Sequence, residues 1–100
     1  MRLRILRSAI RDLERARDFY AEHGEDVGRY FLDSLFGDID SLTLYAGIHA
    51  RVWGFHRMLA KRFPYAIYYR IDGDVCIVWR VLDCRQRPSR LHQALSRDEQ

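Results

Sequence analysis

Hydrophobic residues follow two different spacings along this chain of 100 residues. In residues 8–23 and about 27–45 they recur every three or four positions, which predicts two amphipathic helices. Ser8 and Asp26 stand where the N-cap of each helix is expected. Gly37 falls inside the second helix and indicates a kink or a close packing contact there. Because few residues separate the two segments, we expect an antiparallel helical hairpin.

The other segments alternate in the way that is typical of strands. Residues 2–5 alternate between arginine and apolar side chains and predict a short N-terminal strand. Residues 55–63 form an irregular strand candidate. Residues 65–71 and 75–82 are rich in β-branched and aromatic residues and flank an Asp-Gly-Asp sequence at 72–74, which is a strong signal for a β-hairpin.

The length of the hairpin loop decides which residues face each other. A two-residue loop would place Arg80 beside Tyr65, whereas a three-residue loop pairs Ile71 with Val75. We favour the three-residue loop, because the odd-numbered face of both strands is then entirely apolar and can cover the helices. The opposite face, which includes Arg70 and Arg80, is a candidate working surface.

A basic exit loop (residues 83–88) follows the hairpin, and Ser89 is the expected N-cap of a short last helix that ends near Leu95. The order β-α-α-β-β-β, with a short C-terminal helix, predicts an α+β fold in which the helical hairpin packs on a small antiparallel sheet. We interpret residues 1–100 as a single domain. No apolar run approaches the ~20 residues that span a bilayer, and no signal-peptide core is present. We therefore expect a cytoplasmic protein that does not contact membranes.

Charge is distributed unevenly along the chain. Residues 8–45 carry four Arg against nine Asp and Glu, whereas residues 46–97 carry nine Arg and one Lys against three Asp. Over the whole chain, sixteen of the seventeen basic residues are arginine, the residue suited to bidentate contact with phosphate or carboxylate groups. The basic second half therefore predicts a surface that meets an anion or an acidic protein.

The sequence lacks the usual signatures of a metal or cofactor enzyme. The histidines and cysteines do not have metal-ligand spacing. No Gly-rich phosphate loop and no nucleophile triad stands out. We expect no metal site and no cofactor, and we interpret Trp53 and Trp79 as structural residues.

Several short motifs occur in order along nearly the whole chain. They are Ala9, Asp12, Leu13 and Ala16-Arg17-Asp18-Phe19-Tyr20 in the first helix, then Arg62-Phe63-Pro64-Tyr65, Ile67-Tyr68-Tyr69, the turn at 72–74 and Val81-Leu82-Asp83-Cys84-Arg85-Gln86-Arg87-Pro88. Together they resemble the RelE/ParE family of toxins, and the ParE kind more than the RelE kind. The resemblance implies a plasmid-stabilisation toxin of a type II toxin–antitoxin system, neutralised by a cognate antitoxin encoded in the same operon.

The resemblance implies two alternative targets. Toxins of the ParE kind inhibit DNA gyrase, whereas those of the RelE kind cut messenger RNA on the ribosome. The ribonucleases use an Arg directly after the Tyr that opens the third strand and a Tyr in the C-terminal helix, and these positions are Ala66 and His92 here. We therefore favour a non-enzymatic inhibitor of DNA gyrase, with an endoribonuclease as the alternative. The candidate catalytic residues of that alternative are Lys61, Arg62, Arg85, Arg87 and His92.

Basic side chains of the second half are the candidates for contact with the antitoxin or the target. These are Arg57, Arg62, Arg80, Arg85, Arg87 and Arg90. An antitoxin helix or strand lying in a groove would place acidic residues against three of them, Arg57, Arg62 and Arg80. Tyr65, Tyr68 and Tyr69 are either core residues or a stacking platform for single-stranded RNA.

Overall fold

A helical hairpin packs against one face of a five-stranded sheet in this computed structural model, which describes residues 1–97. In chain order the elements are β1 (Arg2–Ile5), α1 (Arg7–Ala21), α2 (Glu25–Asp40), α3 (Leu42–Tyr45), β2 (Arg51–Val52), β3 (Phe55–Leu59), β4 (Tyr65–Asp72), β5 (Val75–Asp83) and α4 (Pro88–Ser96). The predicted α+β class, the helical hairpin and the short C-terminal helix are confirmed.

The sheet has the strand order β1-β5-β4-β3-β2. Strands β2 to β5 pair antiparallel with their neighbours, as the sequence predicts, whereas β1 pairs parallel with β5. The sheet is therefore mixed, and the prediction of a purely antiparallel sheet is wrong at this edge. Alternation of side chains within four residues shows which of them are buried, but not which strand they join or in which direction.

The three predicted helix caps are wrong by two positions each, because the N-cap residues are Leu6, Gly24 and Arg87. Ser8, Asp26 and Ser89 all lie at the second residue of their helices, and no side chain caps these helix starts. The buried Ser8 instead donates its Oγ hydrogen to the carbonyl oxygen of Trp79, at 2.9 Å. This bond joins the start of α1 to β5, so tertiary contact rather than local capping decides the role of the side chain.

The two helices of the hairpin approach each other closely at Gly28. A Cβ added there would lie 2.9 Å from the Cβ of Ala21 and 3.0 Å from the carbonyl oxygen of Arg17. Gly37 has open space at the same position and lies inside an uninterrupted α2, so the kink or close contact predicted there is wrong. The first break in the helix comes at Ser41, between α2 and α3.

The two glycines provide a matched pair of substitutions. We expect Gly28→Ala to lower the free energy of unfolding by about 1–3 kcal/mol, because the new methyl group meets backbone and a methyl that cannot rotate away. Gly37→Ala should instead raise it by up to ~1 kcal/mol, since alanine is the better helix former and the site is open. Urea denaturation measures both, and equal effects of the two substitutions would argue against the hairpin packing.

The β4–β5 hairpin differs from the predicted register. Its loop has two residues, since Asp72 pairs with Val75, and a bulge at Trp79 then shifts the pairing so that Tyr65 lies opposite Asp83. The prediction of a three-residue loop, and of Ile77 and Trp79 on the helix side, is wrong. A bulge adds one residue to a strand and moves every later side chain to the other face. For this reason Cys76, Val78 and Val81 can all face the helices.

Both faces of the sheet are buried. On one face, apolar residues of β4 and β5 pack against the helical hairpin around Leu13, Phe31 and Leu35. On the other, Leu91 and Leu95 of α4 cover a smaller cluster with Phe55, Ala66, Tyr68 and Leu82. Much of the predicted working surface is therefore covered, because Ala66 and Tyr68 are 0% and 1% exposed, whereas Arg70 on the same face stays exposed. Tyr65 and Tyr69 are buried as well, so the three tyrosines are core residues and not a stacking platform.

Candidate interaction surface around the C-terminal helix

Arg80, one of the predicted binding residues, is held in a buried ion pair with Asp12 of α1. Its Nε and Nη2 donate to the two carboxylate oxygens of Asp12, at 2.7 and 2.9 Å. The backbone N–H of Val81 also donates to Asp12, at 3.0 Å, and Nη1 of Arg80 donates to the carbonyl oxygen of Ala94 in α4, at 3.0 Å. Because the side chain of Arg80 is only 11% exposed, we interpret it as the residue that ties α4 to β5 and α1.

Arg85, in the exit loop, forms a bidentate ion pair with Asp83 at the end of β5. Nε and Nη2 donate to the two carboxylate oxygens at 2.9 and 2.7 Å, and the backbone N–H of Arg85 donates to the same group at 2.8 Å. The hydrogen bonds from Arg85 lower the pKa of Asp83, and the same carboxylate raises the pKa of Arg85. The pair neutralises much of the charge that Arg85 would otherwise present to an anion.

Two other arginines remain exposed where α4 begins. Arg87 precedes the first helical residue, Pro88, and Arg90 lies in the first turn. Arg90 also lines a groove of about 330 Å³ together with Gln86, Gln93 and Arg97. We call Arg87 and Arg90 the basic rim of α4, since they present positive charge at the start of this helix.

The loop between β3 and β4 lies at the same end of the sheet as the exit loop. The backbone N–H of Cys84 donates to the carbonyl oxygen of Pro64, at 2.8 Å, and joins the two loops. Lys61 and Arg62 are exposed in the β3–β4 loop. Arg57, on β3, is half-buried, and its Nη2 lies 3.7 Å from the Sγ of Cys84. Four of the five candidate catalytic residues, Lys61, Arg62, Arg85 and Arg87, therefore lie in these two joined loops.

His92, the fifth candidate, lies elsewhere. It is exposed on α4, and its ring stacks on Trp53 with the centroids 5.1 Å apart and the planes at 13°. Trp53 lies in the turn between β2 and β3, at the opposite end of β3 from Lys61 and Arg62. Five residues of strand span roughly 15 Å. The structure thus separates the candidate acid or base from Lys61 and Arg62, two of the four candidate cations.

A further groove between the β2–β3 turn and α4 contains residues that sequence reasoning did not choose as site residues. It has a volume of about 380 Å³, and we call it the Arg70 groove; its lining is Trp53, Phe55, Arg70, Trp79, His92, Leu95, Ser96 and Arg97. The alternation of β4 does place Arg70 on this face. The contribution of Trp79 was missed because the bulge that turns it towards α4 leaves no signal in the hydrophobic pattern.

Neither a metal site nor a membrane-spanning helix is found in residues 1–97. Over this range, no group of three or more His, Cys, Asp or Glu side chains is placed to hold a metal ion. None of the helices described combines the length and the apolar character needed to cross a membrane.

Comparison with known families identifies the chain. A family model described as the ParE toxin of the type II toxin–antitoxin system parDE matches residues 3–88. The chain belongs to the ParE toxin family. The match runs from β1 to the first residue of α4, so it includes the Asp12–Arg80 pair and the exit loop. The resemblance to this family is thereby confirmed, and a family of toxin–antitoxin systems implies an antitoxin partner for this toxin.

Comparison with solved structures supports the fold. A chain from the chromosomal ParDE toxin–antitoxin system of P. aeruginosa superposes with a TM-score of 0.74 at 22% sequence identity, over 81% of this chain and 92% of the other. At that identity the likeness shows a shared fold. No curated protein matches the chain.

Proposed function

We propose that this ParE-type toxin acts in the cytoplasm by binding DNA gyrase and inhibiting it without cutting RNA, and that a cognate antitoxin from the same operon neutralises it. The toxin would then serve plasmid stabilisation. The family to which the chain belongs supports the toxin and antitoxin parts of this proposal. The absence of an assembled ribonuclease site in the described residues supports the non-enzymatic part.

The separation of His92 from Lys61 and Arg62 is the observation that carries this choice. RNA cleavage without a metal needs a proton acceptor, a proton donor and cations around a single phosphate. Here the imidazole of His92 stacks on Trp53, while Lys61 and Arg62 lie beyond the far end of β3. Ala66 lies under α4 and is fully buried, so this position offers no contact to a phosphate.

A protein inhibitor needs an exposed surface of complementary charge, which the basic rim of α4 provides. Exposed charges at the edge of an interface act mainly on the association rate and lose their effect at high salt. We expect the Arg87→Glu, Arg90→Glu double variant to inhibit gyrase supercoiling at least about tenfold less well than the parent, with the largest difference at low salt. Arg85 is a weaker choice for this test because Asp83 neutralises it.

The matched control is the Arg4→Glu, Arg29→Glu double variant, which changes the net charge equally at exposed positions on β1 and α2. It should inhibit gyrase to within about twofold of the parent. If both double variants lost the same amount of gyrase inhibition, the loss would be due to the change in net charge and not to the basic rim of α4. Ribosome-dependent transcript cleavage that falls by 10² or more in His92→Ala would overturn the proposal in favour of the endoribonuclease alternative.

A further inference from the structure

Arg70 is oriented by aromatic rings and not by an anion. Its Cζ lies 4.0 Å from the centroid of the Phe55 ring and 5.1 Å from that of Trp79. Within residues 1–97 it forms no hydrogen bond or ion pair, and its side chain is exposed. A guanidinium packed over aromatic rings keeps N–H groups available, and it loses less conformational freedom when it binds a planar anion.

The wall of the Arg70 groove includes a residue in an unfavourable backbone conformation. Trp53 has φ = +53° and is followed by Gly54 at φ = +82°, in a two-residue turn where Asn, Asp or Gly is usual. The Trp53 indole is 39% exposed and stacks on His92. Strained conformations of this kind concentrate at binding sites, where the placement of the side chain compensates for the strain.

Trp79, in the same groove, has an indole N–H donor that is not used in a hydrogen bond within residues 1–97. Its Nε1 is buried and has no hydrogen-bond partner among residues 1–97. Most buried polar atoms in native proteins have one, so an orphaned donor that lines a groove calls for an explanation. Because this donor is closed to solvent, a bound molecule would supply the missing bond only after a side chain of the groove moves.

The charge of the groove indicates the chemistry of its occupant. The lining includes Arg70 and Arg97 and no Asp or Glu from residues 1–97. The rings of Trp53 and Phe55 each already have a face covered, by His92 and by Arg70. A nucleobase needs an open ring face for stacking, whereas a carboxylate needs only the edge of the guanidinium. The groove therefore suits an acidic peptide better than a nucleic acid.

We propose that the Arg70 groove binds an acidic segment of the antitoxin, with a carboxylate on Arg70 and a neighbouring apolar side chain against Trp53 and Trp79. The inference rests on the antitoxin part of the proposed function. The antitoxin is the partner that the family implies, and its acidic side chains would complement the +3 net charge of the toxin. In this contact the carboxylate would bind Arg70 beside the rings of Trp53 and Trp79. Arginine and tryptophan side chains in such pockets often contribute most of the binding energy of an interface.

The test is the dissociation constant of the purified antitoxin for three toxin variants, each produced with the antitoxin and then separated from it. Arg70→Gln should weaken binding by on the order of 100-fold, as the loss of one partner of a desolvated charge pair does. Arg70→Lys keeps the charge but not the planar fork and should weaken binding about tenfold. Arg51→Gln removes the same charge from an exposed position on β2, two strands away from Arg70, and should change binding less than threefold.

The two tryptophans of the chain, Trp53 and Trp79, both line the groove and report its occupancy directly. Toxin labelled with 5-fluorotryptophan should give two ¹⁹F resonances, and both should shift when the antitoxin is added. In Arg70→Gln the resonances of the free toxin show whether the groove retains its structure. The Asp and Glu residues of the antitoxin can also be mutated one at a time. If one of them pairs with Arg70, its effect on the binding free energy should not add to that of Arg70→Gln.

Three results would overturn the inference. The first is antitoxin binding by Arg70→Gln that equals binding by Arg51→Gln. The second is normal antitoxin binding by Arg70→Gln with loss of gyrase inhibition, which would assign the groove to the target and leave the proposed function intact. The third is a shift of both ¹⁹F resonances by a single-stranded oligonucleotide but not by the antitoxin. Failure of the proposed function itself is seen separately, as a parent toxin that does not inhibit gyrase.

Discussion

Replacing Asp12 with Ala should lower the free energy of unfolding of this toxin by about 3–5 kcal/mol, the usual cost of removing one partner from a buried ion pair. The carboxylate accepts from Arg80 twice and from the backbone N–H of Val81, and the side chain of Asp12 is only 4% exposed. Its loss leaves a largely buried guanidinium without this carboxylate and an amide without its acceptor. Urea denaturation measures the change.

Two comparisons test whether the cost arises from the buried charge. Asp18→Ala removes an exposed carboxylate of α1 that pairs with Arg17, and it should change stability by no more than about 0.5 kcal/mol. Adding Arg80→Met to Asp12→Ala should recover part of the loss, because the buried positive charge is then removed as well. An Asp12→Ala variant as stable as Asp18→Ala would mean that the pair does not hold α4 and α1 to the sheet.

A second large effect is expected for Phe31, the fully buried centre of the aromatic cluster between the hairpin and the sheet. Its ring stacks on Tyr20 at 5.0 Å and lies 4.9 Å from Phe63 and 5.2 Å from Tyr65. Phe31→Ala should cost about 3–5 kcal/mol, as truncation of a buried phenylalanine does. Leu44→Ala is the control, because Leu44 is 80% exposed and its loss should cost less than about 0.5 kcal/mol.

Substitutions of β5 residues at this core test the register of the β4–β5 hairpin. Val78 is fully buried among the residues that face the helices, whereas Ile77 is only half-buried. Val78→Ala should therefore cost more than Ile77→Ala, although it removes a smaller group. A larger loss for Ile77→Ala, close to that of Phe31→Ala, would instead support a three-residue loop without the bulge.

The antitoxin contacts of Arg57, Arg62 and Arg80 stay predictions, but the structure places the three side chains in different surroundings. All three are basic and lie in the basic half, but Arg80 forms its hydrogen bonds with Asp12 and Ala94, and Arg57 is half-buried beside Cys84. Arg62 stays exposed. The carboxylate that engages Arg80 comes from a residue 68 positions earlier in the chain, and no local pattern connects the two.

The sequence by itself determined the elements whose signals are local. Repeats of three and four residues predicted α1 and α2, alternation predicted β1 and the β4–β5 hairpin, and ordered motifs predicted the toxin family. These signals can be recognised in the sequence because the repeat of buried and exposed positions in a helix or strand involves only residues a few positions apart.

Only the tertiary structure decided how these elements meet. The parallel pairing of β1 with β5, the bulge at Trp79 and the covering of Tyr68 by α4 all depend on contacts between distant parts of the chain. The Arg70 groove depends on the same contacts, since the bulge turns Trp79 and the turn at Trp53 meets α4. Hydrophobic periodicity carries no information about which partner covers a face, because many partners bury the same apolar area equally well.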